Sequence, residues 1–107
     1  MITSLSVDQA GGTTADLIAA KTGYKIRVIG LVLSVGGAAV TVKSTLQDKT
    51  ANTVRMTLVG NATTPVVYAF SGDHANFLFE TIASDALEFV TGTAAAVSGT
   101  ITYEYVL

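Results

Sequence analysis

The stretch Lys25–Val35, KIRVIGLVLSV, constrains the fold more than any other part of the chain. In an extended backbone, successive side chains point to opposite faces. Ile26, Val28, Gly30 and Val32 then share one face, and Ile29, Leu31, Leu33 and Val35 share the other. At roughly 3.3 Å per residue the segment spans about 36 Å, which is long for a strand. A strand apolar on both faces is expected to be covered on two sides or to lie in a subunit interface. Gly36 and Gly37 read as a hairpin turn, because paired glycines accept the positive φ of primed turns. Residues 38–47 are then expected to return antiparallel, with Val40 and Val42 inward and Thr41 and Lys43 outward.

The rest of the chain has the same character. Thr, Val and Ile make up 35 of 107 residues, a β-forming composition. Residues 2–8 alternate Ile2, Ser4, Ser6 against Thr3, Leu5, Val7, as an edge strand does. Residues 14–20 read as a strand in preference to a turn of helix. Further strands are expected at 53–60 and 66–71, and at 79–82 and 86–90 with a turn at Ser84–Asp85 between them. In the last segment, Val97, Ile101, Tyr103, Tyr105 and Leu107 face inward, and Ser98, Thr100, Thr102 and Glu104 face outward. A strand running to Leu107 is expected to be tied into a sheet or to pair across a subunit edge. About eight strands separated by Gly, Asn, Asp and Pro turns give an all-β fold, a single antiparallel sandwich or barrel. The length suits one domain over 1–107, with 1–12 as an edge strand or a partner-binding arm.

Composition removes several function classes. There is no cysteine, so neither a disulfide nor a thiolate metal site is available. Charged residues are 13% of the chain and the net charge is −2, against the clustered Lys and Arg that nucleic-acid binding needs. Lys21, Lys25 and Arg27 form the one basic cluster, read as a solvated strand start. No apolar run approaches the ~18 residues of a membrane-spanning helix, and Asp8, Gly11 and Gly12 break any signal-peptide core. The single histidine, His74, stands beside Asp73 in GDHANF, too few ligands for zinc. Glu80 and Glu88 could meet across a hairpin as a carboxylate pair, but they are read in preference as two solvent-facing cross-strand residues. No P-loop, GxGxxG or GxSxG occurs. No cofactor is expected. Tyr24, Tyr68 and the GDHANF loop are the candidates for a sugar platform, whereas Tyr103 and Tyr105 share a face with Ile101 and read as packing.

Two segments carry a resemblance. Gly23, Lys25, Ile26, Arg27 and Val28 open the first, and Val40, Thr41, Val42 and Ser44 continue it. Phe79, Glu80 and Thr81, then Ala86 and Leu87, then Gly99, Ile101, Tyr103 and Val106 make the second. This pattern resembles small jelly-roll-like β-sandwich proteins encoded among the structural genes of tailed bacteriophages. It covers about two thirds of the chain and departs from the pattern over 45–65 and at Asp85.

The resemblance implies a virion component made in the bacterial cytoplasm and needing no active site. The leading expectation is a capsid decoration (cement) protein that bridges subunits of the major capsid protein, or binds another virion protein, as a homo-oligomer. Cement proteins of this type form trimers on the shell. The low charge and the two-faced apolar strand suit obligate interfaces. The expected contact residues are Ile2, Leu5 and Val7 in the N-terminal segment, Asp48 and Lys49, Thr63 and Pro65, and Asp73 and His74 in the loops. The alternative is a receptor- or carbohydrate-binding module of a tail or fibre.

Overall fold

The computed structural model describes residues 2–37, 42–61, 64–92 and 95–107. The described residues form nine strands and no helix: β1 Thr3–Gln9, β2 Thr14–Ile18, β3 Lys25–Gly37, β4 Val42–Asp48, β5 Val54–Gly60, β6 Val66–Phe70, β7 Phe79–Glu80, β8 Leu87–Thr91 and β9 Ala95–Val106. One antiparallel sheet has the order β1-β9-β3-β6, with β7 also on β3; the other has the order β2-β8-β4-β5. The fold is the expected all-β sandwich.

Its connectivity is that of a jelly roll. The chain doubles back at the β4–β5 hairpin, and the pairs β4–β5, β3–β6, β2–β8 and β1–β9 nest outward from it. Rolling this long hairpin into two sheets adds the pairs β3–β9 and β4–β8. Between the sheets lie Ile26, Leu33, Leu46, Leu58, Leu87, Phe89 and Ile101, all fully buried. Burial of side chains this size stabilises by about 1.5–3 kcal/mol each before entropy is counted.

Two expectations for the central strand are corrected. A β-bulge falls between Val28 and Gly30, with Ile29 the extra residue. It reverses the inward phase, so Ile26 and Val28 before it and Leu31, Leu33 and Val35 after it all face one core. The opposite face of β3 carries Arg27, Gly30, Val32 and Ser34, and Val32 is 52% exposed. The strand is buried on one face rather than two. Nor do the glycines make a hairpin: Gly36 and Gly37 continue β3 opposite Ala96 and Ala95, while β4 belongs to the other sheet. β3 spends both lateral positions on β9 and β6, leaving none for β4. Val40 and Thr41 lie outside the described residues.

The pairing of 79–82 with 86–90 is also corrected. β7 pairs with β3 in one sheet and β8 with β2 and β4 in the other. Residues 81–86 cross between the sheets. Ser84 adopts φ 63° there, and its N–H donates to Tyr24 O at 2.8 Å. Asp85 is buried and accepts the N–H groups of Thr50 and Ala51, tying the crossing to the β4–β5 turn. Glu80 and Glu88 therefore sit in different sheets.

Candidate functional site

The expected contact residues occupy four separate places. Ile2 precedes β1 and is 56% exposed, while on β1 itself Leu5 is half-buried and Val7 is buried in the core. Asp48 closes β4 with a buried carboxylate: Arg55 donates Nε to Oδ1 at 2.9 Å and Nη2 to Oδ2 at 2.7 Å, and Ile82 N–H reaches Oδ2 at 3.0 Å. Lys49 is exposed and bonds Asp16 Oδ2 at 2.8 Å, which raises the lysine pKa. Pro65 is exposed at the opposite end of the sandwich, near Gly36. Thr63 lies outside the described residues. Asp73 and His74 lie on the loop between β6 and β7, beside the outer face of the β1-β9-β3-β6 sheet.

That loop covers an ion cluster which local alternation did not indicate. Arg27 faces Glu104 of β9 on one side and Glu80 of β7 on the other. Its Nε and Nη2 reach Glu80 Oε2 at 2.8 and 2.7 Å, and Nη1 lies 3.6 Å from Glu104 Oε1. Nη1 also donates to His74 O at 3.0 Å, His74 Nδ1 bonds Glu104 Oε1, and the Phe77 ring covers the guanidinium at 4.4 Å. Arg27 is therefore a paired, mostly buried group, not a solvated strand start, and Glu104 is buried although its position in β9 is outward. The loop's bend is fixed by Asp73, whose Oδ1 accepts N–H from Asn76 at 2.8 Å and Ala75 at 3.0 Å; these bonds lower its pKa. Both carboxylates are committed to one guanidinium, so the cluster fastens the loop to the sheet. Among the described residues, no group of three or more His, Asp or Glu is arranged to hold a metal.

Tyr68 stands apart from the other three tyrosines. Tyr68 faces inward opposite Leu33, and its hydroxyl bonds Val59 N and O at 2.8 and 3.0 Å. Tyr24, Tyr103 and Tyr105 cluster at the other end with edge contacts of 6.4 and 5.8 Å, and Lys21 lies over Tyr24 at 4.3 Å. Tyr105 donates to Ala19 O at 2.7 Å, and burial raises its pKa.

Beside the ion cluster the outer face of the same sheet presents mostly small residues. Ser4 and Ser6 of β1, Ser98 and Thr100 of β9, Val32 of β3 and Val67 of β6 are all exposed. Val32 and Val67 are 52% and 63% exposed, and outside the ion cluster these strands carry two charges, Asp8 at the edge and Lys25 at the start of β3. A shallow groove of about 250 Å³ runs among Gly30, Val32, Phe70, Gly72, Thr100 and Thr102. Such a face offers hydroxyls and methyl groups over a broad area with no directed charge. Its signal in the sequence is the run of small polar residues alternating with the apolar ones in β1 and β9.

No helix is long and apolar enough to cross a membrane among the described residues. No protein-family model and no curated protein matches the sequence. Two solved structures are similar. A chain of Bacillus endospore appendages, described as a family of disulfide-linked pili, superposes with a TM-score of 0.57 at 17% identity, over 100% of this chain and 88% of that one. A chain of infectious bursal disease virus, Gx strain, aligns with a TM-score of 0.46 at 13% identity, over 96% of this chain and 31% of that one. At these identities the first likeness is one of fold.

Proposed function

We propose that this chain is a non-enzymatic structural subunit of an assembled particle, acting as a decoration protein on the capsid of a tailed bacteriophage. The observation that carries this reading is the sparsely charged outer face of the β1-β9-β3-β6 sheet, with Val32 and Val67 exposed on it. A surface that lacks charge and offers small side chains accepts a close-packed partner at little desolvation cost. The ion cluster beside it is already paired, Arg27 with Glu80 and Glu104. Decoration then works by mass action: a subunit that binds only the closed shell stabilises the shell, and many copies multiply the effect. The test is co-sedimentation with tailed-phage shells stripped of their decoration protein. Retention on the shell with a higher temperature of shell disruption supports the reading, and absence of binding overturns it.

A second reading, subunits stacked into a fibre, is favoured by the fold likeness to the Bacillus appendage chain over the whole of this one. This chain has no cysteine, so such a fibre would be held without the disulfides of those pili. Electron microscopy of the concentrated protein distinguishes the two: filaments favour stacking, discrete particles favour decoration.

A further inference from the structure

A two-sheet sandwich has four lateral edges, and unpaired edge backbones are normally blunted by charge, proline, bulges or covering segments. Three of the edges here are blunted. β2 is five residues long with a register break between Asp16 and Ile18, and the ion pair Asp16–Lys49 sits on it. β5 has a register break opposite Leu46–Gln47, carries Arg55, and has its Val59 N–H and C=O both occupied by the Tyr68 hydroxyl. At the third edge, beyond β3, Pro65 precedes β6, and the segment between β6 and β7 interrupts that edge.

β1 differs. Its seven residues pair with β9 from Thr3↔Tyr103 to Gln9↔Val97 without a register shift. It contains no Lys, Arg or Pro, and among the described residues no strand pairs with its other side. We infer that β1 is a self-association edge that pairs antiparallel with β1 of a second copy, joining the two β1-β9-β3-β6 sheets into one across a twofold axis.

The identity of the occupant follows from the strand itself. A twofold normal to the sheet makes two β1 strands antiparallel and keeps both inward faces on the same side. Only even registers preserve that match, because a one-residue slip turns Leu5 and Val7 outward. Centring the axis on Ser6 sets Ser6 opposite Ser6, Leu5 opposite Val7, Ser4 opposite Asp8 and Ile2 opposite Ala10 of the second copy. Two aliphatic pairs then extend the core row, a hydroxyl meets each Asp8 carboxylate, and the two Asp8 charges stay apart. The β2 and β5 edges carry charges and register breaks, and β6 offers only five residues behind Pro65, so β1 is the longest unbroken edge strand. The result is an even oligomer in place of the trimer that the phage resemblance implies. It doubles the outer face on one side, and it does not depend on whether that face binds a shell.

The test uses the full chain in solution, which separates it from shell binding. Sedimentation velocity at micromolar concentration is expected to give a dimer. Directly opposed Cα atoms in an antiparallel pair lie about 4.5–5.5 Å apart, within disulfide reach. Because the chain has no other cysteine, mild oxidation of Ser6→Cys is expected to give a covalent dimer. Ser4→Cys is expected to stay uncrosslinked, since the two copies of that residue sit four steps, about 13 Å, apart. Ser6→Lys and Ser6→Glu are each expected to sediment as monomers and to recover the dimer when mixed in equal amounts, which an unfolded variant does not do. A monomeric or trimeric wild type, equal crosslinking at both positions, or a dimer that survives Ser6→Lys overturns the proposal.

Discussion

The Tyr68 hydroxyl reaches from β6 in one sheet to β5 in the other and bonds both polar backbone atoms of Val59, at 2.8 Å to N and 3.0 Å to O. One side chain therefore closes that side of the sandwich and occupies an edge peptide that would otherwise be open. Removing the hydroxyl leaves the ring in place and the peptide exposed. Tyr68→Phe is expected to lower stability by about 1–2 kcal/mol, from two hydrogen bonds each worth roughly 0.5–1.5 kcal/mol. Urea denaturation measures the cost, and light scattering on heating should report earlier aggregation through the uncovered β5 edge.

Asp48 and Arg55 form the pair whose loss should be felt most at the β4–β5 end. The carboxylate is fully buried and takes two bonds from Arg55 and one from Ile82 N–H. Arg55→Met leaves an uncompensated buried carboxylate, a situation that costs about 3–5 kcal/mol when both partners are dry. Since the Arg55 side chain is 26% exposed, about 2–3 kcal/mol is expected. Asp48→Asn, which keeps the shape and the Ile82 bond, is expected to lose less. Chemical denaturation of both variants at neutral pH orders them.

Acid sensitivity should centre on Asp85. Burial alone would raise its carboxyl pKa, but the N–H groups of Thr50, Ala51 and Ala86 outweigh burial and hold it below the usual value. A carboxyl depressed in the folded state stabilises the protein above the unfolded pKa, about 3.9, and that contribution disappears as pH falls through the folded value. Asp73, depressed by the N–H groups of Asn76 and Ala75, acts in the same direction. Stability is therefore expected to be flat near neutrality and to drop below about pH 4. Asp85→Asn should be less stable at pH 7 and lose less on acidification. Urea midpoints across pH 2–7 supply both comparisons.

Gly99 marks where β9 presses on β3. Its φ is +145°, and a Cβ there would lie 1.9 Å from Val32 O. Strain and overlap act together, so Gly99→Ala is expected to cost more than about 2 kcal/mol. Gly12→Ala gives the contrast, because its φ of +70° is strained but no atom lies within 4 Å of the added carbon. It should cost less than Gly99→Ala in thermal unfolding.

The sequence made strands legible where alternation is unbroken. β1 was readable as an edge from Thr3, Leu5 and Val7 against the serines, and β9 from Val97 to Tyr105. β3 misled because one inserted residue, Ile29, reverses the phase, and a reversed phase looks like two apolar faces. The glycine pair resembled a turn because glycine permits one, yet whether it turns depends on β9 and β6 flanking β3. Burial of Glu104 could not be read from its own strand, since the cover comes from a loop thirty residues away whose His74 bonds it. The candidate contact surface was likewise only half legible: small outward residues can be counted strand by strand, but their joining into one face requires knowing that β1, β9, β3 and β6 share a sheet.

The central claim is that the outer face of that sheet contacts an assembled shell, and one comparison of two variants tests it most directly. Thr100 is exposed on that face and Thr57 is exposed on β5 of the other sheet. Equal amounts of Thr100→Lys, Thr57→Lys and wild-type protein are sedimented with stripped tailed-phage shells. The account predicts that wild type and Thr57→Lys pellet with the shells while Thr100→Lys, folded by circular dichroism, remains in the supernatant. Binding by Thr100→Lys equal to wild type, or no binding by wild type at all, would contradict it.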